Sequence, residues 1–269
     1  MNNLDRFFEL SQRGSNLKTE IRAGVTTFLM MAYILLVNPQ ILSEAGMPIE
    51  DVIAATGIAA AIACIVMGIL ANFPFALAPG MGLNAFFTYG VVLGLGVSWQ
   101  SALAAVFVAG LVFLGLSFTG LRTRMINGIP HTLKLAITTG IGLFLAIIGF
   151  RNMGLSVDHP ATLLTRGSVA DPIVFIAIFG IILIATLMAL RIKGSILIGI
   201  VTITVLYWVL GLATPPAEYV ALPSLPKETL MALDFGEIAS ASFWLVVIAI
   251  LFVDIFDTDG TLIGVGRQG

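Results

Sequence analysis

The sequence predicts an all-α polytopic membrane protein. Three observations carry that prediction. Hydrophobic residues make up 58% of the 269 and charged residues 10%, with a mean hydropathy of +1.05; soluble domains carry about 25% charged residues. The apolar residues fall into eight runs, most of them near the ~20-residue length that crosses a bilayer as a helix. The basic residues segregate to alternate ends of those runs, as they do in proteins that thread a membrane.

The runs lie at about 21–43, 52–71, 73–96, 99–119, 135–150, 172–190, 194–212 and 240–266. The fifth is short for a span, and the amphipathic stretch Leu121–Lys134 is the natural place for an earlier start. The longest linker, 213–239, is rich in proline (Pro215, Pro216, Pro223, Pro226). Arg6, Arg13, Lys18 and Arg22 precede the first run; Arg122, Arg124 and Lys134 follow the fourth; Arg191 and Lys193 follow the sixth; Arg267 follows the eighth. If the eight runs alternate, these ten of 13 basic residues share one side. The positive-inside rule makes that side, and the N-terminus, cytoplasmic. Dropping one run would scramble the segregation.

Composition also excludes. A net charge of −2 gives no basic face for nucleic acid. Cys64, the sole cysteine, leaves no intrachain disulfide and no cysteine metal site. No signal peptide is expected, because the N-terminus is polar and the first apolar run is too long for an h-region.

The third run, Phe73-PFALAPGMGLNAFF and onward, is predicted to be broken. Pro74 and Pro79 each remove a backbone donor and disfavour helix at the residue before. Phe73–Ala78 is therefore expected to be extended, with a half-helix from Met81 made flexible at its start by Gly80 and Gly82. Irregular backbone at membrane depth must be buried in protein or line a cavity. Asn84 falls in the first turn of that half-helix, near its free N–H groups, with an amide that both donates and accepts. Discontinuous helices of this kind hold ligands in secondary transporters. The alternative is a proline-kinked helix with glycines for close packing.

The eighth run, Phe243-WLVVIAILFVDIFDTDGTLIGVG, has three charges, all carboxylates: Asp254, Asp257 and Asp259. Asp254 and Asp257 share a helix face, and Thr258 and Thr261 extend the polar strip. Gly260 and Gly264 let another backbone approach. Carboxylates inside a spanning helix are costly unless they face a cavity, a partner or a proton path. The alternative is that the aspartates mark the water interface, which suits Asp259 better than Asp254. Phe256-DTDGTL also resembles the phosphatase motif D-x-D-G-T, but ten residues after Asp259 leave no room for that α/β domain. The likeness to a calcium loop fails for want of the closing glutamate. A polytopic membrane enzyme using Asp254 and Asp257 as acid and base is the rival from another class. His131 and His159 lie near expected loops and form no metal site.

Phe7-FELSQRGSNLKTEIRAGVTTFLMMAYILLVNPQIL, Ala76-LAPGMGLNAFF and Phe252-VDIFDTDGTLIGV together resemble the adenine/guanine/hypoxanthine permeases of the xanthine/uracil permease superfamily, the second type of nucleobase–cation symporter. The resemblance covers essentially the whole chain. It implies an inverted-repeat fold of seven plus seven segments, the third and tenth broken by short extended pieces. It divides this chain into the first half of a core domain (1–120), gate-domain spans (121–212), a non-cytoplasmic loop (213–239) and the first span of the second repeat (240–269). It implies proton-coupled uptake of a purine across the cytoplasmic membrane, with no cofactor beyond the proton gradient. The purine, protons and the lipid bilayer are the expected partners, and a homodimer is one assembly open to the family. On this pattern Asp257 is the carboxylate that binds the purine, Asn84 is the polar residue of the broken segment with Gly82 beside it, and Asp254 is an accessory. Asp257 and Asp254 are the expected proton-coupling groups. A carrier for another nucleobase or small solute is the alternative. The chain departs from the family by stopping three residues past the eighth run, so it is expected to be a fragment lacking six segments and unable to transport alone.

Overall fold

Every apolar run contributes helix, though the first is interrupted and the third begins with an unwound segment. The computed structural model describes residues 3–73, 75–119, 130–160, 162–215 and 225–266. It is a mostly helical, polytopic membrane protein. Four helices are long and apolar enough to cross a membrane by length and composition: Leu17–Ser43, Ile49–Ala71, Trp99–Thr119 and Pro172–Ala189. Only 17–22% of the most apolar stretch of each is buried within the molecule.

α1 (Asn3–Phe8) is short and closes on Ser11, whose hydroxyl and N–H donate to the Asp5 carboxylate at 2.8 and 2.9 Å. The hydroxyl bond, then the backbone bond, hold that carboxyl below the usual carboxylate range. Asn16 caps α2 (Leu17–Met31) by accepting the Thr19 N–H at 3.0 Å. The first span is not the single helix expected. α2 ends at Met31, and α3 (Ile34–Ser43) restarts after a turn at Ala32 and Tyr33. The carbonyls of that turn bond to Leu35 and Leu36 three residues on, a local tightening of the helix. Pro39 sits inside α3, where it leaves the Leu35 carbonyl without its helical donor.

α4 (Ile49–Val66) widens into a π-helical turn, Met67–Ala71, and stops at Asn72 in the left-handed region (φ 50°). The described residues from 72 to 80 form neither helix nor strand, as the two prolines predict; Pro74 lies outside the described residues. α5 (Met81–Ala85) then begins behind Gly80, which is extended. It continues through a π-helical stretch (Phe86–Val92) into α6 (Leu93–Leu95) and ends at Gly96 with φ 69°. α7 (Trp99–Thr119) follows, then α8 (His131–Asn152). The fifth span starts at His131, ahead of the run at 135–150 and inside the stretch Leu121–Lys134 suggested for an earlier start; residues 121–129 of that stretch lie outside the described residues.

The all-α expectation needs one addition. Residues between the fifth and sixth spans, expected as loop, form an exposed hairpin of β1 (Ser156–His159) and β2 (Leu163–Arg166), antiparallel with Ser156 opposite Arg166. α9 (Pro172–Ala189) is capped by Asp171, and α10 (Ser195–Val209) and α11 (Ala241–Gly266) complete the order.

The described residues form two compact units. One comprises residues 1–37, 56–78 and 150–223. In it α9 and α10 pack through reciprocal notches. A Cβ on Gly180 would lie 2.8 Å from Ile203 Cγ1, and one on Gly199 would overlap Ile184. The other comprises residues 38–55, 79–149 and 224–269. Its core joins Phe243, Val247, Ile250 and Leu251 of α11 to Ala102, Ala105 and Ala109 of α7. The alanines keep that face of α7 flat enough for close approach. Asp51, in the first turn of α4, accepts the N–H groups of Lys227, Glu228 and Thr229 at 2.8, 2.6 and 3.0 Å, and Ser101 donates to Asp234 at 3.2 Å. The segment leading into α11 is thereby pinned to the starts of α4 and α7.

Candidate functional site

Two asparagines and a threonine form the polar seam of the second unit. Asn84 lies in the first turn of α5, where its N–H donates to the Gly80 carbonyl at 3.1 Å. Its side-chain Nδ2 donates to Asn38 Oδ1 on α3. Asn38 is 2% exposed, and Asn84 is half-buried. One turn beyond Asn84, the fully buried Thr88 donates through Oγ1 to the Ile41 carbonyl at 3.0 Å. Asn38 and Ile41 are three apart on α3, and Asn84 and Thr88 four apart, so the two bonds run along one helix–helix contact. An unmade bond to a buried carbonyl costs about 1–3 kcal/mol, which makes the seam specific as well as adhesive.

The π-helical stretch from Phe86 is the second local feature. It sets the residues after Asn84 off the α-helical register, a distortion that recurs at functional sites. Gly82 is half-buried in the same first turn as Asn84.

α11 packs against α5 as well as α7, which brings the helix that carries the carboxylates against the one that carries Asn84. Asp254 is half-buried, follows the partly buried Val253 and precedes the fully buried Ile255. It has an interaction partner within the molecule. Asp257, one turn further along α11, has its side chain outside the described residues, as do Thr258, Asp259 and Thr261. Of the predicted residues, Gly82 and Asn84 lie on α5, and Asp254 and Asp257 lie on α11, which packs against it. Among the described residues no cluster of His, Cys, Asp or Glu could hold a metal ion.

The first unit has its own device. Cys64, on α4, satisfies both backbone groups of Leu77 in the unwound segment: its thiol donates to the carbonyl at 3.3 Å and accepts the N–H at 3.1 Å. A cavity of about 440 Å³ lies nearby, lined by α2, the start of α3, α4 and Phe73, Phe75 and Ala76. Its polar lining includes Glu20, Thr27 and Cys64, and it contains none of the residues that the sequence assigns to substrate.

Sequence reasoning missed the pairing of Asn38 with Asn84 and the role of Thr88. A signal existed for the first, because Asn38 is one of two amides, with Gln40, inside an apolar run. It gave no partner, since 46 residues separate the two asparagines.

A family model described as a permease family, for xanthine and uracil permeases, matches residues 18–269. The chain is 46% identical to a protein of Methanocaldococcus jannaschii named as a permease, over 98% of this chain and 61% of that one. It is 40% identical to the guanine/hypoxanthine permease PbuO of Bacillus subtilis (97% and 62%) and 41% identical to the adenine permease AdeP of Escherichia coli (97% and 59%). The chain thus spans about three-fifths of the length of the curated relatives it matches.

Proposed function

The chain belongs to the permease family, and on that premise we propose that the protein carries a purine nucleobase into the cell together with a proton. The observation that supports this most is the packing of α11, with its carboxylates, against α5 at the point where the third span breaks. Relatives named guanine/hypoxanthine and adenine permeases narrow the ligand class to purines.

A purine is planar and neutral, with N–H donors and ring-nitrogen or carbonyl acceptors on its edges. An ionised Asp257 accepts N–H groups from it, and the charge strengthens those bonds. Asn84 supplies a neutral donor and acceptor. Gly82 lets the ligand approach the backbone of the first turn. Asp254 supports the carboxylate side one turn away. Protonating a membrane carboxylate removes a costly charge, so proton binding biases the balance between inward- and outward-facing states. The proton gradient is the only energy source this scheme needs.

The same reading makes the basic ends of the spans cytoplasmic, the N-terminus included, and places the protein in the cytoplasmic membrane. It assigns 1–120 and 240–269 to a substrate-binding core and 121–212 to a gate, with 213–239 on the non-cytoplasmic side. Competition uptake of labelled hypoxanthine by cells lacking purine transport, expressing the full-length protein, tests the scheme. Uptake that adenine or guanine blocks, that uracil leaves alone and that an uncoupler abolishes is the expected result. Well-expressed protein that takes up no nucleobase would reject it.

A further inference from the structure

Asn38 has no place in the scheme above, yet it is the residue that Asn84 touches. It is 2% exposed, it lies on a helix interrupted at Ala32–Tyr33, and its side-chain oxygen receives an N–H of Asn84. Beside it, Thr88 and the Ile41 carbonyl fix the register of α3 against the helix of the broken span. The first bond ties the Asn84 amide to α3, and the second ties α3 to the next turn of the broken span.

A carboxamide presents a carbonyl oxygen and an NH₂ group on opposite sides of its plane. Rotating it by half a turn exchanges acceptor for donor while its shape stays the same. In Asn84 that rotation would set its oxygen against the Asn38 oxygen, two acceptors with no proton between them. A concerted turn of both amides would keep the bond, so the orientation of Asn84 follows that of Asn38, which is buried and has a further interaction within the molecule. Purines differ in just this respect. A 6-oxopurine presents a donor at N1 and an acceptor at O6; a 6-aminopurine presents an acceptor at N1 and a donor at N6. In one pose, an amide of fixed orientation matches one pattern and opposes the other.

We infer that Asn38 is a specificity-determining positioning residue: by holding the Asn84 amide in one orientation, it makes the site discriminate between 6-oxopurines and 6-aminopurines. The inference rests on the purine reading of this site, with Asn84 at the ligand. A buried group built to hydrogen-bond one partner rejects a mismatched one by leaving polar atoms unpaired, at about 1–3 kcal/mol each. Releasing the amide lets it turn to suit either ligand.

The test is equilibrium binding of labelled hypoxanthine and adenine to the purified full-length protein and its variants, each checked for monodispersity. The wild type should prefer one of the two by about tenfold or more, the ratio that 1.4 kcal/mol supplies. Asn38→Leu keeps the branched shape but removes the acceptor, and should bring the two dissociation constants within about threefold. Asn84→Leu should weaken the preferred ligand, and adding Asn38→Leu to it should change nothing further, because Asn38 acts only through Asn84. Asn38→Asp retains an acceptor and should keep the wild-type ratio; this arm stands even where the leucine variant does not fold. Asn38→Leu with the wild-type ratio, a double variant worse than Asn84→Leu, or a lost ratio in Asn38→Asp would each overturn the inference and leave purine transport standing. A wild type that binds both purines equally, or an Asn84→Leu variant with unchanged binding, would overturn it as well. A wild type that binds neither purine removes the functional reading itself, and the inference with it.

Discussion

The α9–α10 pair and the contact of α3 with the broken third span bring helices together in an apolar medium by opposite chemistry. The first is dry: Gly180 and Gly199 make notches for Ile203 and Ile184. Dispersion is its main source of attraction, since lipid is as apolar as isoleucine. The second is polar: Asn38, Asn84 and Thr88 spend three side chains on two hydrogen bonds. A dry notch stabilises without choosing a ligand. A seam of amides on a broken helix gains little net stability that isoleucine would not supply, and its members can still hydrogen-bond a solute. The difference teaches where to look for function in such a chain: where polarity has been accepted although a cheaper apolar packing existed.

Four perturbations sharpen that contrast. The largest effect belongs to the carboxylate helix. In the proposed scheme Asp257 binds the purine, so Asp257→Asn in the full-length protein should lower purine uptake by roughly 30-fold or more, the factor given by the lower end of the about 2–5 kcal/mol that losing a charged partner costs. Its expression and monodispersity should stay normal. Near-normal uptake would remove Asp257 from the site.

On the dry side, Gly199→Leu forces a side chain into Ile184. Overpacking of this kind costs about 1–3 kcal/mol. The melting temperature in detergent should fall by several degrees, while uptake per folded molecule is unchanged. Gly110→Ala is its control, because a Cβ there meets nothing within 4 Å. An unchanged melting temperature for Gly199→Leu would show that the notch is not tight.

Cys64 tests polarity that serves the backbone alone. Cys64→Ser keeps a donor and an acceptor for Leu77, whereas Cys64→Val leaves both backbone groups unmet, at about 1–3 kcal/mol each. The serine variant should retain most uptake and the valine variant should lose stability and uptake together. Equal behaviour of the two would mean that the thiol bonds do not hold the unwound segment.

The smallest effect lies outside the membrane. Ser11 depresses the Asp5 carboxyl, so the contribution of Asp5 is present above the unfolded-state value near 3.8 and is lost as pH falls through the lower folded-state value. Asp5→Asn should therefore alter local protection of residues 5–15 from hydrogen exchange at neutral pH, and not at a pH below both values. Equal protection in wild type and variant at neutral pH would show that the loop closes without this carboxylate.

Much of this molecule was legible in its sequence, and the reason is the solvent. A bilayer demands long apolar runs, so the runs at 52–71, 99–119 and 172–190 reappear nearly unchanged as helices. The break was legible because Pro74 and Pro79 act on their own backbone neighbours. The turn at Ala32–Tyr33 was not, since neither residue is a helix breaker and Pro39 lies further on. The hairpin at 156–166 escaped because its four-residue strands carry little alternation. The π-helical stretch from Phe86 left no compositional mark. In the candidate site, single residues announced themselves by being polar in an apolar run. Their partners did not, because contacts such as Asn38 with Asn84 and Asp51 with Thr229 are set by how helices pack.

The most direct measurement is purine-driven proton movement in proteoliposomes containing the purified full-length protein and a pH-sensitive dye. Added hypoxanthine or adenine should acidify the lumen in proportion to the purine that enters, and Asp257→Asn should show neither signal. Purine entry with no accompanying proton flux, or acidification that Asp257→Asn leaves intact, would contradict the account.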